Sequence, residues 1–208
     1  MKQFKVGVCA GHNWRDPGAI RQHVAEQPTC RGIVDYLKEQ CAIQYDREQD
    51  FPLLITDPMS DLLSESSMND RITAYNDMDL DLVVDIHLDT CQGKHKSRAL
   101  LMCRDDDARA LELAEAIKPG LGNCVGSYYR VWTHNPIVVT EKKMGRSDLS
   151  FLHRTKAPAI IVEMAALDYF AIGGELHSQG RADVVTELGT RLFTGLTICA
   201  VTHGKVIG

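Results

Sequence analysis

Several things are missing from this sequence, and each absence closes off a class of protein. Its seven cysteines form no C-x-x-C pair and are odd in number. That argues against a zinc site built on paired thiolates, and the thiols read as buried groups of a protein made in a reducing compartment. Basic residues are not in excess, and the formal net charge is −5. A nucleic-acid binder, which needs Lys and Arg to neutralise phosphates, is therefore not expected. No segment reaches the roughly 20 apolar residues of a membrane span. The opening MKQFKVGVCAGHN has too short an apolar stretch for a signal-peptide core. The expectation is synthesis in the cytoplasm, with no membrane span. Internal repeats and low-complexity tracts are also absent.

What remains is an ordinary globular composition, 44% hydrophobic and 25% charged over 208 residues. That length suits one domain, and such a chain buries roughly 70% of its unfolded surface without needing a staple. Strand-like and helix-like segments alternate. Phe4–Cys9 and Leu80–Leu88 read as strands, as do RALLMC, PIVVT and Pro158–Ala165. Helical spacing marks Thr29–Gln40, which Pro28 precedes, and Ser67–Met78, with a serine cap. The same spacing marks the segment DDDARALELAEAIK and Ala182–Ala200. The stretch DREQDFPLLITDPMSDLLSESS is expected to be a loop over the sheet. The alternation predicts a single α/β domain: a mostly parallel twisted sheet with helices on both faces.

Chemistry gathers at the strand ends. His12 follows the first strand, His87 lies near the end of LDLVVDIHL, and Glu163 lies near the end of PAIIVEMA. Open parallel sheets bind ligands outside the carboxyl ends of their strands, so three ionisable groups converge on one edge. Singly, each has a plain explanation: a turn cap, a satisfied strand histidine, a carboxylate paired with a buried arginine. Together, two histidines and a carboxylate make a hydrolytic zinc site with a position left for water. A second carboxylate can then move the proton. Glu26 and Glu163 are the candidates for these two roles.

The ordered motifs resemble those of the zinc-dependent N-acetylmuramoyl-L-alanine amidases of the type-3 family, which include phage endolysin catalytic domains. The matching pieces are AGHNWRDPGAI, Glu26 fourteen residues after His12, Arg71 in NDRITAYNDMDLDLVVDIHLDT, and APAIIVEMAALD. The resemblance runs from about residue 4 to about residue 200. It implies that His12, Glu26 and His87 are ligands to one Zn2+ per chain and that Glu163 is the catalytic glutamate. It implies a substrate, the peptidoglycan muropeptide stem, cleaved between N-acetylmuramic acid and L-alanine. Because the closing helix uses up the chain, the expectation is a single catalytic domain over 1–208 with no separate wall-binding domain, reaching the wall after release, for example through a holin.

The chain departs from the family pattern at Asn13-Trp14, where glycine is usual, at Met164-Ala165, and at Gln27-Pro28, which leaves His23 as a rival to Glu26. Asp85 stands where a small polar residue is usual. It shares a strand face with His87, so it either orients that imidazole or is a solvated strand-end acid. Arg71 reads as a structural hydrogen-bond or ion-pair donor. Arg146 is a candidate for meeting a peptide carboxylate, and His134 for lining the cleft. A cytoplasmic zinc amidohydrolase of a small N-acyl amino acid, resembling the N-formylglutamate amidohydrolases, is the alternative enzyme; it would have a narrow, basic cleft. A non-catalytic wall-binding module with a degenerate site is the third reading, and the intact His-Glu-His-Glu set argues against it.

Overall fold

A computed structural model describes residues 3–13, 15–21, 24–58, 67–90, 97–122, 132, 134–167 and 178–204. His23 and Trp14 lie outside the described residues. In chain order the elements are β1 (Phe4–Ala10), a two-stranded hairpin β2 (Ile20–Arg21) and β3 (Val24–Ala25), α1 (Glu26–Arg47), β4 (Leu53–Thr56) and α2 (Met68–Asn76). Then come β5 (Leu82–Asp89), β6 (Leu100–Cys103), α3 (Ala108–Leu121), β7 (Ile137–Thr140), α4 (Ser150–Arg154), β8 (Ala159–Ala166) and α5 (Ser178–His203).

Six strands form one sheet in the order β4-β1-β5-β8-β6-β7. The pairs β4–β1, β1–β5, β5–β8 and β6–β7 are parallel, while β8 and β6 run antiparallel. Alternation sorts the side chains of the central strands between two layers. Val6, Val8, Val84, Ile86, Ile160 and Val162 pack under α1, α3 and α5. Cys9, Val83, Ala159 and Ile161 pack with Ile72 and Tyr75 of α2 and with Phe151 and Leu152 of α4. Both faces are covered, as the sequence predicts.

Two expectations need correction. The stretch read as a loop contains β4, whose Leu53 and Ile55 are buried. A four-residue strand preceded by Pro52 is too short for its alternation to stand out. The expectation that no segment is long and apolar enough for a membrane span also fails, since Ala182–His203 is such a helix by length and composition. Its Leu188, Leu192, Leu196 and Cys199 are wholly buried in the core, so the apolar residues serve packing against α1 and α3. That packing is close: a Cβ on Gly120 of α3 would collide with the backbone of Gly195 in α5. The described cysteines 9, 30, 41, 103 and 199 are all buried free thiols, and burial pushes Cys103 and Cys199 up to about 12.

Candidate metal centre and catalytic cleft

Three parallel strands, β1, β5 and β8, end side by side at one edge. The Gly11 N–H donates to the Ile86 carbonyl at 2.8 Å, so pairing with β5 continues one residue past β1. A Cβ on Gly11 would collide with the His87 imidazole, and only glycine leaves room for that ring. His12 then turns into the left-handed region, with φ of 63°, a costly conformation for a residue with a side chain. Arg71 of α2 holds the turn by donating from Nη1 to the His12 carbonyl at 2.7 Å. This is the structural hydrogen bond expected of Arg71. Asn13, at the family departure, shapes the next turn: its Oδ1 accepts from the N–H groups of Arg15 and Asp16.

Glu26 opens α1. That helix has no side-chain cap at Ala25; instead the Glu26 and Gln27 N–H groups donate to the carbonyls of Ala19 and Pro17. The loop carrying Asp16-Pro17-Gly18 thus caps the helix that presents the carboxylate. Glu26 is only 4% exposed. Its Oε1 accepts the Leu88 N–H at 3.1 Å and faces His87 Nδ1 at 2.9 Å. Its Oε2 accepts the Ala19 N–H at 3.0 Å and faces His12 Nε2 at 3.3 Å. The potential ligand atoms of His12, Glu26 and His87 all lie within 4.8 Å of one another. Two imidazole nitrogens and one carboxylate, drawn together this closely, could hold a metal ion and are donor types that suit zinc.

The nitrogen of each imidazole that points away from Glu26 faces an aspartate. His87 Nε2 is 3.1 Å from Asp85 Oδ2, and His12 Nδ1 is 3.5 Å from Asp16 Oδ2. Asp85 is fully buried, at 1% exposure, and its Oδ1 accepts a hydrogen bond from the Cys9 thiol at 3.2 Å. It is not a solvated strand-end acid. Burial opposes charge on Asp85, but His87, Arg71 and Cys9 outweigh it and hold the carboxyl below its ordinary value. Burial likewise opposes the Glu26 carboxylate, yet the hydrogen bonds to His12, His87 and Ala19 pull it well below the usual range. In the metal-free chain both histidines are raised. Glu26 lifts His12 against its partial burial, and Asp85 and Glu26 overcome the burial of His87. A divalent cation at these atoms would take the place of those protons.

Glu163 lies directly beside His87 in the β5–β8 register. Its Oε2 is buried with no hydrogen-bond partner among the described residues. Burial, reinforced by Asp89 and Glu26, raises its carboxyl to about 7 against the weaker pull of His87 and Arg146. The arginine that might have neutralised it is not in contact. A carboxyl poised near neutrality and aimed into a cleft can take up and release a proton. The cleft holds about 330 Å³, and Leu149 with Ser150 and Phe151 of α4 line it. Arg146 is among the described residues that line it, and His134 is not. The His134 N–H donates to the Ser97 carbonyl at 3.1 Å, just before β7. Sequence reasoning missed Asp16 and Cys9. Asp16 had a signal in its position four residues after His12; Cys9 had none, because its role depends on how β1 pairs with β5.

The family model of N-acetylmuramoyl-L-alanine amidase matches residues 6–170. Among solved structures, the fold is similar to an N-acetylmuramoyl-L-alanine amidase from Clostridium difficile 630, with TM-score 0.71 and 18% identity over 100% of both chains. It is similar to the catalytic domain of the amidase CwlV from Bacillus (Paenibacillus) polymyxa var. colistinus, with TM-score 0.64 and 14% identity over 95% of this chain and 97% of that one. The catalytic domain of the endolysin CD27L, targeting Clostridia difficile, matches with TM-score 0.55 and 15% identity over 89% and 96%. No curated protein matches the chain.

Proposed function

Since the chain belongs to the N-acetylmuramoyl-L-alanine amidase family, we propose that His12, Glu26 and His87 hold its zinc ion and that Glu163 is its proton carrier. The protein is an amide hydrolase acting on peptidoglycan, at the bond between the lactyl group of N-acetylmuramic acid and L-alanine. The observation that carries the residue assignment is the gathering of the His12, Glu26 and His87 ligand atoms within 4.8 Å beside an unpartnered Glu163 carboxylate oxygen. A zinc ion held by these residues would supply a water acidified to a pKa of about 7 and would polarise the scissile carbonyl.

The chain's own residues do the rest. Asp85 fixes the tautomer and orientation of His87 through Nε2, which leaves Nδ1 free to bind metal. Asp16 stands in the same relation to His12. Arg71 keeps the His12 turn closed. Glu163 takes a proton from the attacking water and returns it to the alanine nitrogen as the amide bond breaks. The described chain forms one six-stranded sheet closed by α5, which supports a single catalytic domain. A small N-acyl amino acid hydrolase is not favoured: that reading requires a basic cleft, whereas Glu26, Asp85, Asp89 and Glu163 make this one acidic.

The test is a muralytic assay on purified peptidoglycan with metal analysis of the same sample. Release of free L-alanine amino termini is expected, with zinc near one equivalent. Glu163→Gln should keep the zinc and lose turnover, whereas His12→Ala should lose both. A Glu163→Gln protein that still turns over at the wild-type rate would remove Glu163 from its role. Full zinc content in His12→Ala would remove His12 from the ligand set.

A further inference from the structure

The anionic lining of the cleft raises a question about its substrate. Glu26, Asp85, Asp89 and Glu163 surround the site, and a divalent cation offsets only part of their charge. A carboxylate-bearing peptide entering there meets repulsion unless a cation receives it. Arg146 is the single Lys or Arg among the described lining residues. Its guanidinium makes no hydrogen bond or ion pair with any described residue, and it reaches Glu163 only by longer-range attraction. An exposed arginine without a hydrogen-bond or ion-pair partner among the described residues, on the wall of the cleft, is a fork suited to a planar anion.

The backbone under Arg146 is fixed. Its N–H donates to the Glu141 carbonyl at 2.9 Å, and the Glu141 N–H donates to Cys103 at the end of β6. The Glu141 side chain, 2% exposed, faces His153 of α4 at 2.7 Å. The loop between β7 and α4 is therefore pinned at both ends. It sets Arg146 beside Leu149, Ser150 and Phe151, which form the same wall.

We propose that Arg146 is a specificity-determining residue that binds a carboxylate on the peptide side of the scissile amide, carried by the stem residue attached to L-alanine. This rests on the amidase reading above and names which stems that site prefers. The fork geometry of the guanidinium matches a carboxylate and not a neutral carboxamide, so amidation of that stem residue weakens binding.

The experiment uses zinc-loaded full-length protein and two synthetic N-acetylmuramoyl peptides that differ only in a carboxylate or a carboxamide on the second stem residue. The wild type should favour the carboxylate by about tenfold in kcat/KM, the size expected of one charge-assisted contact, with the difference in KM. Arg146→Gln should bring the ratio of the two substrates near one. Arg146→Lys should hold an intermediate ratio, and Arg146→Glu should invert it. Equal kcat/KM for the two substrates in the wild type would overturn the proposal. So would an Arg146→Gln protein that loses activity on both substrates in the same proportion, which would instead mark Arg146 as a group acting through Glu163. A zinc-loaded wild type that cleaves neither compound nor intact peptidoglycan defeats the amidase reading, and this proposal with it.

Discussion

Glu163 is held between two demands. The proposed proton transfer needs a carboxylate, while its buried Oε2, without a partner among the described residues, favours the neutral acid. A carboxyl raised by folding stabilises the fold below its unfolded pKa, here 4.5, and that contribution disappears as pH rises through the folded value of about 7. In the metal-free protein, Glu163→Gln should therefore match the wild type in thermal stability at pH 4. At pH 8 it should be more stable, by about 1–3 kcal/mol. Denaturation of the chelated pair at both pH values measures this, and equal stability at pH 8 would show that the carboxylate finds a partner. The same substitution should cost about 10²–10⁴ in kcat on loaded protein, the usual worth of a general base. Asp85→Asn keeps the shape but replaces the carboxylate that faces His87 Nε2. Zinc affinity should fall about 10–100-fold, read by competition with a chromophoric chelator. Sequence alone placed Asp85 and His87 on one strand face but left open a solvated acid, and only the burial of Asp85 and its 3.1 Å approach to His87 Nε2 pair them. The tie from Cys9 to Asp85 was not legible, because it follows from which residue of β1 lies opposite Asp85.

At the scale of elements, the site depends on ends and crossings. β5 was legible because its alternation is regular from Leu82 to His87. β4 was not, since four residues give alternation no length in which to show. The reversal between β8 and β6 was also hidden: a buried strand has the same apolar composition whichever way its neighbour runs. The start of α1 at Glu26 eluded the sequence for another reason. Its first N–H groups are capped by distant carbonyls, so no Ser, Thr, Asp or Asn announces it. The crossing of α3 and α5 depends on Gly120 and Gly195. Gly120→Ala should force these helices apart and destabilise the protein by about 3 kcal/mol, seen as a lowered Tm. An unchanged Tm would mean that the helices can slide past the added methyl. Gly11→Ala should act differently, displacing the His87 ring and lowering zinc content more than it lowers Tm.

For the molecule as a whole, metal and fold are linked. Glu26 and His87 join α1 to β5, and His12 and Arg71 join the end of β1 to α2. A cation bound to the folded chain alone raises its stability by mass action. Chelation should lower Tm and abolish wall hydrolysis together, and added zinc should restore both; a Tm indifferent to chelator would show that these residues hold no metal. The sheet order carries a further consequence, in time rather than space. β8 is the last strand to be made, yet it sits between β5 and β6 in the middle of the sheet. Until β8 has been made, the other five strands of the sheet can assemble only as two separate groups, β4-β1-β5 and β6-β7. Glu163 arrives with that late strand. On the proposed assignment, a nascent or truncated chain without β8 carries the three candidate metal ligands but not Glu163, so activity is expected only once the two halves of the sheet are joined.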